Sequence, residues 1–363
     1  MGSFSRRVVA AAAVAATSAA AVPAAHAATV ETVVRGLDNP RGVAVGPDGA
    51  VYVANTGRGG RQCRGGGEEA LCLGTTGRVV RVANGRKQTY AGGFASIGSR
   101  GGAFAGGVLH GVSVAPDGSV FAVTGSATPR EIRSMPRPVR RQAGRLFEAT
   151  GGDLSTVARV DKLEHRENLD NVKRDRNSNP YAVLALADRQ IVVDAGANAV
   201  YEVRGGNVEL LALIPGRAKG RRQAVPSSIA LGPDGAYYVG ELAESSGKGK
   251  ARVWRVPAEG GTPTVHATGF TAITGVAFGP DGSMFVTEFS RNIQRFDPRG
   301  RVVQVKPDGS RTNLAGRVLK FPTGAAVDST GAVWVSNFSV LPRKTPKDSE
   351  FRGAGGTLVK ITP

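Results

Sequence analysis

The stretch RGVAVGPDGAVYVAN at residues 41–55 decides the fold, because it recurs along the chain. It reads as a short alternating strand, a turn and a second alternating strand. The Pro-Asp-Gly turn has a mechanism: Pro presets one backbone angle, Asp bonds its own turn and Gly takes a positive φ. Five further copies follow: HGVSVAPDGSVFAVT (110–124), YAVLALADRQIVVD (181–194), SSIALGPDGAYYVGE (227–241), TGVAFGPDGSMFVTE (274–288) and TGAAVDSTGAVWVSN (323–337). The third copy has a shorter turn, with Asp188 in place of Gly.

A third strand follows each hairpin, as in GRVVRV (77–82) and GTLVKI (356–361), and a fourth follows the first five, as in KQTYAGG (87–93), VELLALI (208–214) and PTVHATG (263–269). Four antiparallel strands repeated six times predict an all-β, six-bladed β-propeller. The sixth copy stops after its third strand, and VETVVRG (30–36) near the other end reads as the missing outer strand. Pairing 30–36 with the last blade closes the ring and removes an exposed edge.

The N-terminus has Arg6 and Arg7, an apolar stretch from Val8 to Ala25, and the sequence Ala25-His26-Ala27. This pattern predicts a signal peptide over 1–27 and a mature, secreted propeller over 28–363. Ser5-Arg6-Arg7 admits twin-arginine export beside the general route. No later stretch is long and apolar enough to predict a transmembrane anchor. Cys63 and Cys72 are the only cysteines. In an exported protein such a pair is expected to be a disulfide, and its spacing fits neither a C-x-x-C redox pair nor a zinc knuckle.

Long insertions at 58–76, 126–144, 155–179 and 339–355, with shorter ones at 217–222, 244–250 and 290–299, fall opposite the Pro-Asp-Gly turns. That loop face is therefore the expected working face. Leaving 155–179 aside, these loops carry 21 Lys or Arg against 7 Asp or Glu. The densest patches are Arg130, Arg133, Arg137, Arg140 and Arg141 in one loop, and Arg217, Lys219, Arg221 and Arg222 in another. Such a field suits an anionic polymer, an anionic small molecule or a protein; a simply solvated basic surface is the other reading. Aromatic residues are nearly absent from the basic loops, which argues against sequence-specific nucleic-acid binding. Thr124 and His110 lie at the same face, and His110 is the one histidine well placed for it.

The last residue of each hairpin is Asn55, Thr124, Asp194, Glu241, Glu288 and Asn337. An oxygen-rich ring of this kind suits Ca²⁺ or another hard divalent cation held by Asn55, Asp194, Glu241, Glu288 and Asn337. The alternative is that these side chains bond the backbone of neighbouring loops. No H-E-x-x-H, G-x-S-x-G, Walker A or dinucleotide fingerprint occurs, so no catalytic residue is assigned.

Several of these runs carry a resemblance. RGVAVGPDGAVYVANTGRGG, the two-cysteine loop, SNPYAVLAL, VVDAGANAV, VPSSIALGPDGAYYVGEL and ATGFTAITGVAFGPDGSMFVTEF resemble the ScyD/ScyE family over essentially the whole mature chain. The hairpins alone are shared with NHL repeats and lactonase-like propellers. The resemblance implies a six-bladed, TolB-like propeller outside the cytoplasm, and little about chemistry. Two functions stand open: a non-enzymatic binding or accessory module, or a metal-dependent, lactonase-like hydrolase with Asp194, Glu241 and Glu288 as ligands.

Overall fold

The computed structural model describes residues 28–102, 105–172, 175–217 and 223–363. The leader expected at 1–27, and Lys219, Arg221 and Arg222, lie outside the described residues. Six antiparallel sheets form the blades of a propeller. The innermost strands are Pro40–Val45, Leu109–Val114, Pro180–Ala185, Pro226–Leu231, Ile273–Phe278 and Thr323–Val327. The Pro-Asp-Gly turns behave as expected: Asp48, Asp117, Asp234 and Asp281 each accept a backbone N–H two residues on, and Asp328 does so in the Asp-Ser-Thr-Gly turn of the sixth hairpin.

Thr29–Leu37 pairs antiparallel with Gly356–Thr362, so the first strand of the chain completes the sixth blade. Six apolar clusters fill the structure, one between each pair of neighbouring blades. The seam between blades six and one is built on Val34, Leu37, Val53, Val80 and Leu358. Each buried Val or Leu there contributes roughly 1.5–3 kcal/mol relative to exposure.

Two insertions shape the loop face. In blade one the outer strands Leu71–Ala83 and Arg86–Ser99 run far beyond the inner pair and gain Gln62–Arg64 and Ala105–Gly107 as partners. Cys63 and Cys72 face each other across this arm and are joined by a disulfide. In blade two the 126–144 insertion folds into two short helices, α1 (Pro129–Ser134) and α2 (Arg137–Gln142). Thr128 caps α1 in a reciprocal box with Glu131, and Pro136 separates the helices. The first part of the stretch read as a 155–179 insertion is the fourth strand of blade two, Asp153–Arg159; α3 (Asp161–Glu167) follows it.

Glu164 of α3 has no exposed surface; Leu169 N–H donates to its Oε2 (2.9 Å), while its Oε1 has no partner among the described residues. Burial, reinforced by Asp170, Asp194 and Asp175, pushes its carboxyl up from 4.5 to about 7. A folded-state pKa above the unfolded one means stability that is full below about 4.5 and is lost as pH rises through about 7. Glu164→Gln should therefore match the wild type near pH 5 and exceed it at pH 8 by about 1 kcal/mol, after allowance for solvent screening. Urea denaturation at the two pH values measures this; an equal loss at both would contradict it.

Candidate functional site

All six hairpins share an irregularity at the start of the inner strand. Pro180 pairs with Asp194 and Ala182 with Val193, leaving Tyr181 as an extra residue. His110, Ser227 and Thr274 are extra in the same way. In blades one and six the register shifts over Arg41–Gly42 and Gly324–Ala325. A bulge re-aims a side chain. The outcome is a ring of one polar residue per blade lining the central channel: Arg41, His110, Tyr181, Ser227, Thr274 and Thr323.

The channel is narrow, a cavity of about 60 Å³. A small residue follows each ring residue because neighbouring inner strands nearly touch. A Cβ on Gly42 would lie 3.0 Å from Gly111 Cα, and one on Gly275 2.5 Å from the Gly324 carbonyl carbon. Three ring hydroxyls are turned onto the next blade. Ser227 donates to Ile273 O (2.6 Å), Thr274 to Pro322 O (3.0 Å) and Thr323 to Pro40 O (3.2 Å). The other three residues form one group. Arg41 Nη1 donates to the Tyr181 hydroxyl at 3.0 Å, and the Tyr181 and His110 rings lie 4.8 Å apart. Burial and the Arg41 charge hold His110 down at about 3, so its ring is neutral at ordinary pH.

His110 also lines a second, much larger cavity of about 820 Å³. One wall is the disulfide arm, with Cys63, Leu71, Leu73 and Ile97; the opposite wall is the underside of α1 and α2, with Ile132, Met135 and Val139. Gly125, Asn179 and His110 contribute to its lining from the blades. Gln142 pins the helical wall to blade one, accepting from Ala95 N–H (2.7 Å) and donating to Gly93 O (2.8 Å). Arg130, Arg133, Arg137, Arg140 and Arg141 are all exposed on this helical insertion. The insertion's one acidic residue, Glu131, is turned back onto Thr128.

The residues at the ends of the second strands do not converge. They are buried staples, five for the loops that lead into inner strands and Thr124 for the loop that leads into the third strand of blade two. Asn55 accepts from Asp38 N–H (2.6 Å), Asn337 from Lys320 N–H (2.7 Å) and Glu288 from Thr271 N–H (2.9 Å). Asp194 accepts from the N–H groups of Asn179, Gly196 and Ala197 and from the Ser178 hydroxyl. Glu241 is held by Arg217, Arg252 and the Trp254 N–H, and Glu288 also by Arg301. Thr124 accepts from Arg145 N–H and donates to Gln142 O. Arg217 is therefore spent on a neighbouring carboxylate, and Thr124 on backbone.

These oxygens already receive hydrogens, several from guanidinium groups, so the set does not fit a divalent cation. Among the described residues no three His, Cys, Asp or Glu side chains could hold a metal ion. The channel ring fits one no better, since it has no carboxylate and carries Arg41. Arg41 and Tyr181 escaped the sequence reading. The signal was present as the first residue of each repeated hairpin.

Fold and site together define a six-bladed propeller with an apolar cleft over a narrow polar channel. The chain belongs to the SMP-30/gluconolactonase/LRE-like family, whose profile matches residues 148–347, more than half its length. Comparison with curated proteins finds no match. Among solved structures, the PQQ-bound aldose sugar dehydrogenase from Streptomyces coelicolor aligns with a TM-score of 0.54 at 14% identity, covering 92% of this chain and 98% of that one. A gluconolactonase from Xanthomonas campestris aligns with a TM-score of 0.53 at 10% identity, covering 92% of this chain and 89% of that one. A putative gluconolactonase aligns at 0.53 and 11% identity, covering 93% of this chain and 92% of that one. At such identities the likeness is one of fold.

Proposed function

We propose that this protein is an exported binding propeller of the ScyD/ScyE type that holds a small, largely apolar molecule in the cleft on its loop face. One observation carries the reading: the 820 Å³ cavity walled by apolar side chains of two insertions, with His110 bordering both it and the channel. A cavity of that size with few polar groups is the usual form of a small-molecule site. The disulfide is compatible with an oxidising compartment outside the cytoplasm, reached by the general or the twin-arginine route. The basic α1–α2 surface would draw an anionic molecule towards the cleft. The reading thereby refines the anionic partner expected of the loop face to a small molecule rather than a polymer or protein.

Family membership favours a second reading, a lactone hydrolase. One experiment separates the two. Anilinonaphthalene sulfonate should bind saturably, one per chain, with equal affinity in Ca²⁺ or a chelator. Ile132→Asp, which puts a charge in the cleft wall, should weaken it at least tenfold, about 1.4 kcal/mol. Unchanged affinity in that variant would remove the cleft from the function. Cation-dependent turnover of an aliphatic lactone would favour the hydrolase.

A further inference from the structure

Arg41 is a cation in a channel lining that, among the described residues, contains no carboxylate. Among the described residues its Nη1 donates to the Tyr181 hydroxyl alone, and its buried Nε has no acceptor. Arg41 is partly buried, so an opposite charge or strong acceptor that joined it there would be better rewarded than in open water. The neighbouring His110 imidazole, held neutral by burial, cannot compensate the Arg41 charge. His110 is, among the described residues, the one that lines the channel and the large cavity alike.

We infer that the cleft's ligand is an amphiphilic anion, with its apolar body between the disulfide arm and α1–α2 and its carboxylate or similar oxyanion head at Arg41 and Tyr181 in the channel mouth. This rests on the cleft being the binding site. The channel's 60 Å³ holds a few water-sized groups, which suits a head group and excludes a ring system. A guanidinium fork is the side chain best matched to two carboxylate oxygens. The Tyr181 hydroxyl, accepting from Arg41, keeps its own proton to donate. The exposed arginines of α1–α2 supply the long-range attraction, and Arg41 the short-range recognition.

Calorimetric titration with naphthoate and its neutral analogue naphthamide tests this. The wild type should bind naphthoate at least tenfold more tightly than naphthamide, and the preference should shrink as salt rises. Arg41→Gln should bind the two equally while keeping the wild-type affinity for naphthamide. Arg41→Lys should recover part of the preference, and Tyr181→Phe should reduce it a few-fold. Melting temperatures identify any variant that fails to fold. Equal binding of the two by the wild type, or a preference that survives Arg41→Gln, overturns the inference. Naphthamide binding is the measure of the cleft alone. If Ile132→Asp abolishes it while naphthoate is no tighter, the cleft stands and the anion seat falls. If neither compound binds, both fall.

Discussion

Asp38→Ala is expected to destabilise the propeller by about 3 kcal/mol, the order of loss when a buried ion pair is broken. Asp38 lies in the two-residue connection between the closing strand and blade one, with no exposed surface. Its carboxylate accepts from Arg343 Nη2 (2.6 Å), from Arg343 Nε (3.1 Å to each oxygen) and from Arg343 N–H (2.9 Å). Arg78 lies 3.7 Å away. Arg343 belongs to the 339–355 loop of blade six, so one side chain ties the start of the chain to its end. Asn39 N–H adds a bond to Leu341 O at 2.8 Å. Truncation would strand the Arg343 N–H and leave two guanidinium groups without their carboxylate. Arg343 is partly exposed and can rehydrate, which holds the loss to the lower part of the usual range. The more exposed pair Arg299–Asp297 serves as control, and Arg299→Ala should cost about 1 kcal/mol or less. Urea denaturation measures both. A loss from Asp38→Ala no larger than the control would mean that strand pairing and the apolar seam close the ring unaided.

The blades were legible because their determinants are local. A Pro-Asp-Gly turn between alternating strands needs no distant residue to be recognised. The orphan strand was legible for the same reason, since VETVVRG matches the outer strands and the last blade lacked one. The outer strand of blade two was less so. DLSTVAR is polar, with a single buried residue, and followed directly by a charged helix, so periodicity alone placed most of it in a loop.

The site was harder to read for a physical reason. Which strand residue faces the axis depends on the register of the pleat, and one extra residue reverses it. Every hairpin carries such an irregularity at the first residues of its inner strand. Alignment therefore singled out the polar ring at the ends of the second strands and missed the one at the first residues of the hairpins, which lines the channel. Asn55, Asp194, Glu241 and their counterparts looked like a convergent set. They are paired across from Pro40, Pro180 and Pro226, and turn onto the incoming loops. The cleft was illegible for another reason: it exists only where the blade-one arm and the blade-two helices meet, and neither insertion repeats.

The contrast between two changes at Asp194 tests that assignment of the polar ring. Asp194→Ala should cost about 3–4 kcal/mol, since it strands several buried donors at once. Those donors are Asn179 N–H at 2.6 Å, Gly196 N–H and Ala197 N–H at 3.0 Å, and the Ser178 hydroxyl at 2.6 Å. Asp194→Asn should cost about 1 kcal/mol or less. Its remaining oxygen can keep the three backbone donors, and its amide can donate to Ser178, whose hydroxyl accepts as readily as it gives. Burial pushes the Asp194 carboxyl upward against these bonds, so a neutral amide also escapes the penalty on a buried charge. A raised carboxyl gives stability that is lost as pH rises through its folded value, so Asp194→Asn should gain on the wild type towards higher pH. Millimolar Ca²⁺ should leave the melting temperature of all three proteins unmoved. A cation held by this ring predicts the reverse pattern: a calcium-dependent rise in the wild type that Asp194→Asn removes, with Asn nearly as damaging as Ala. Thermal denaturation with and without calcium decides between a staple and a ligand.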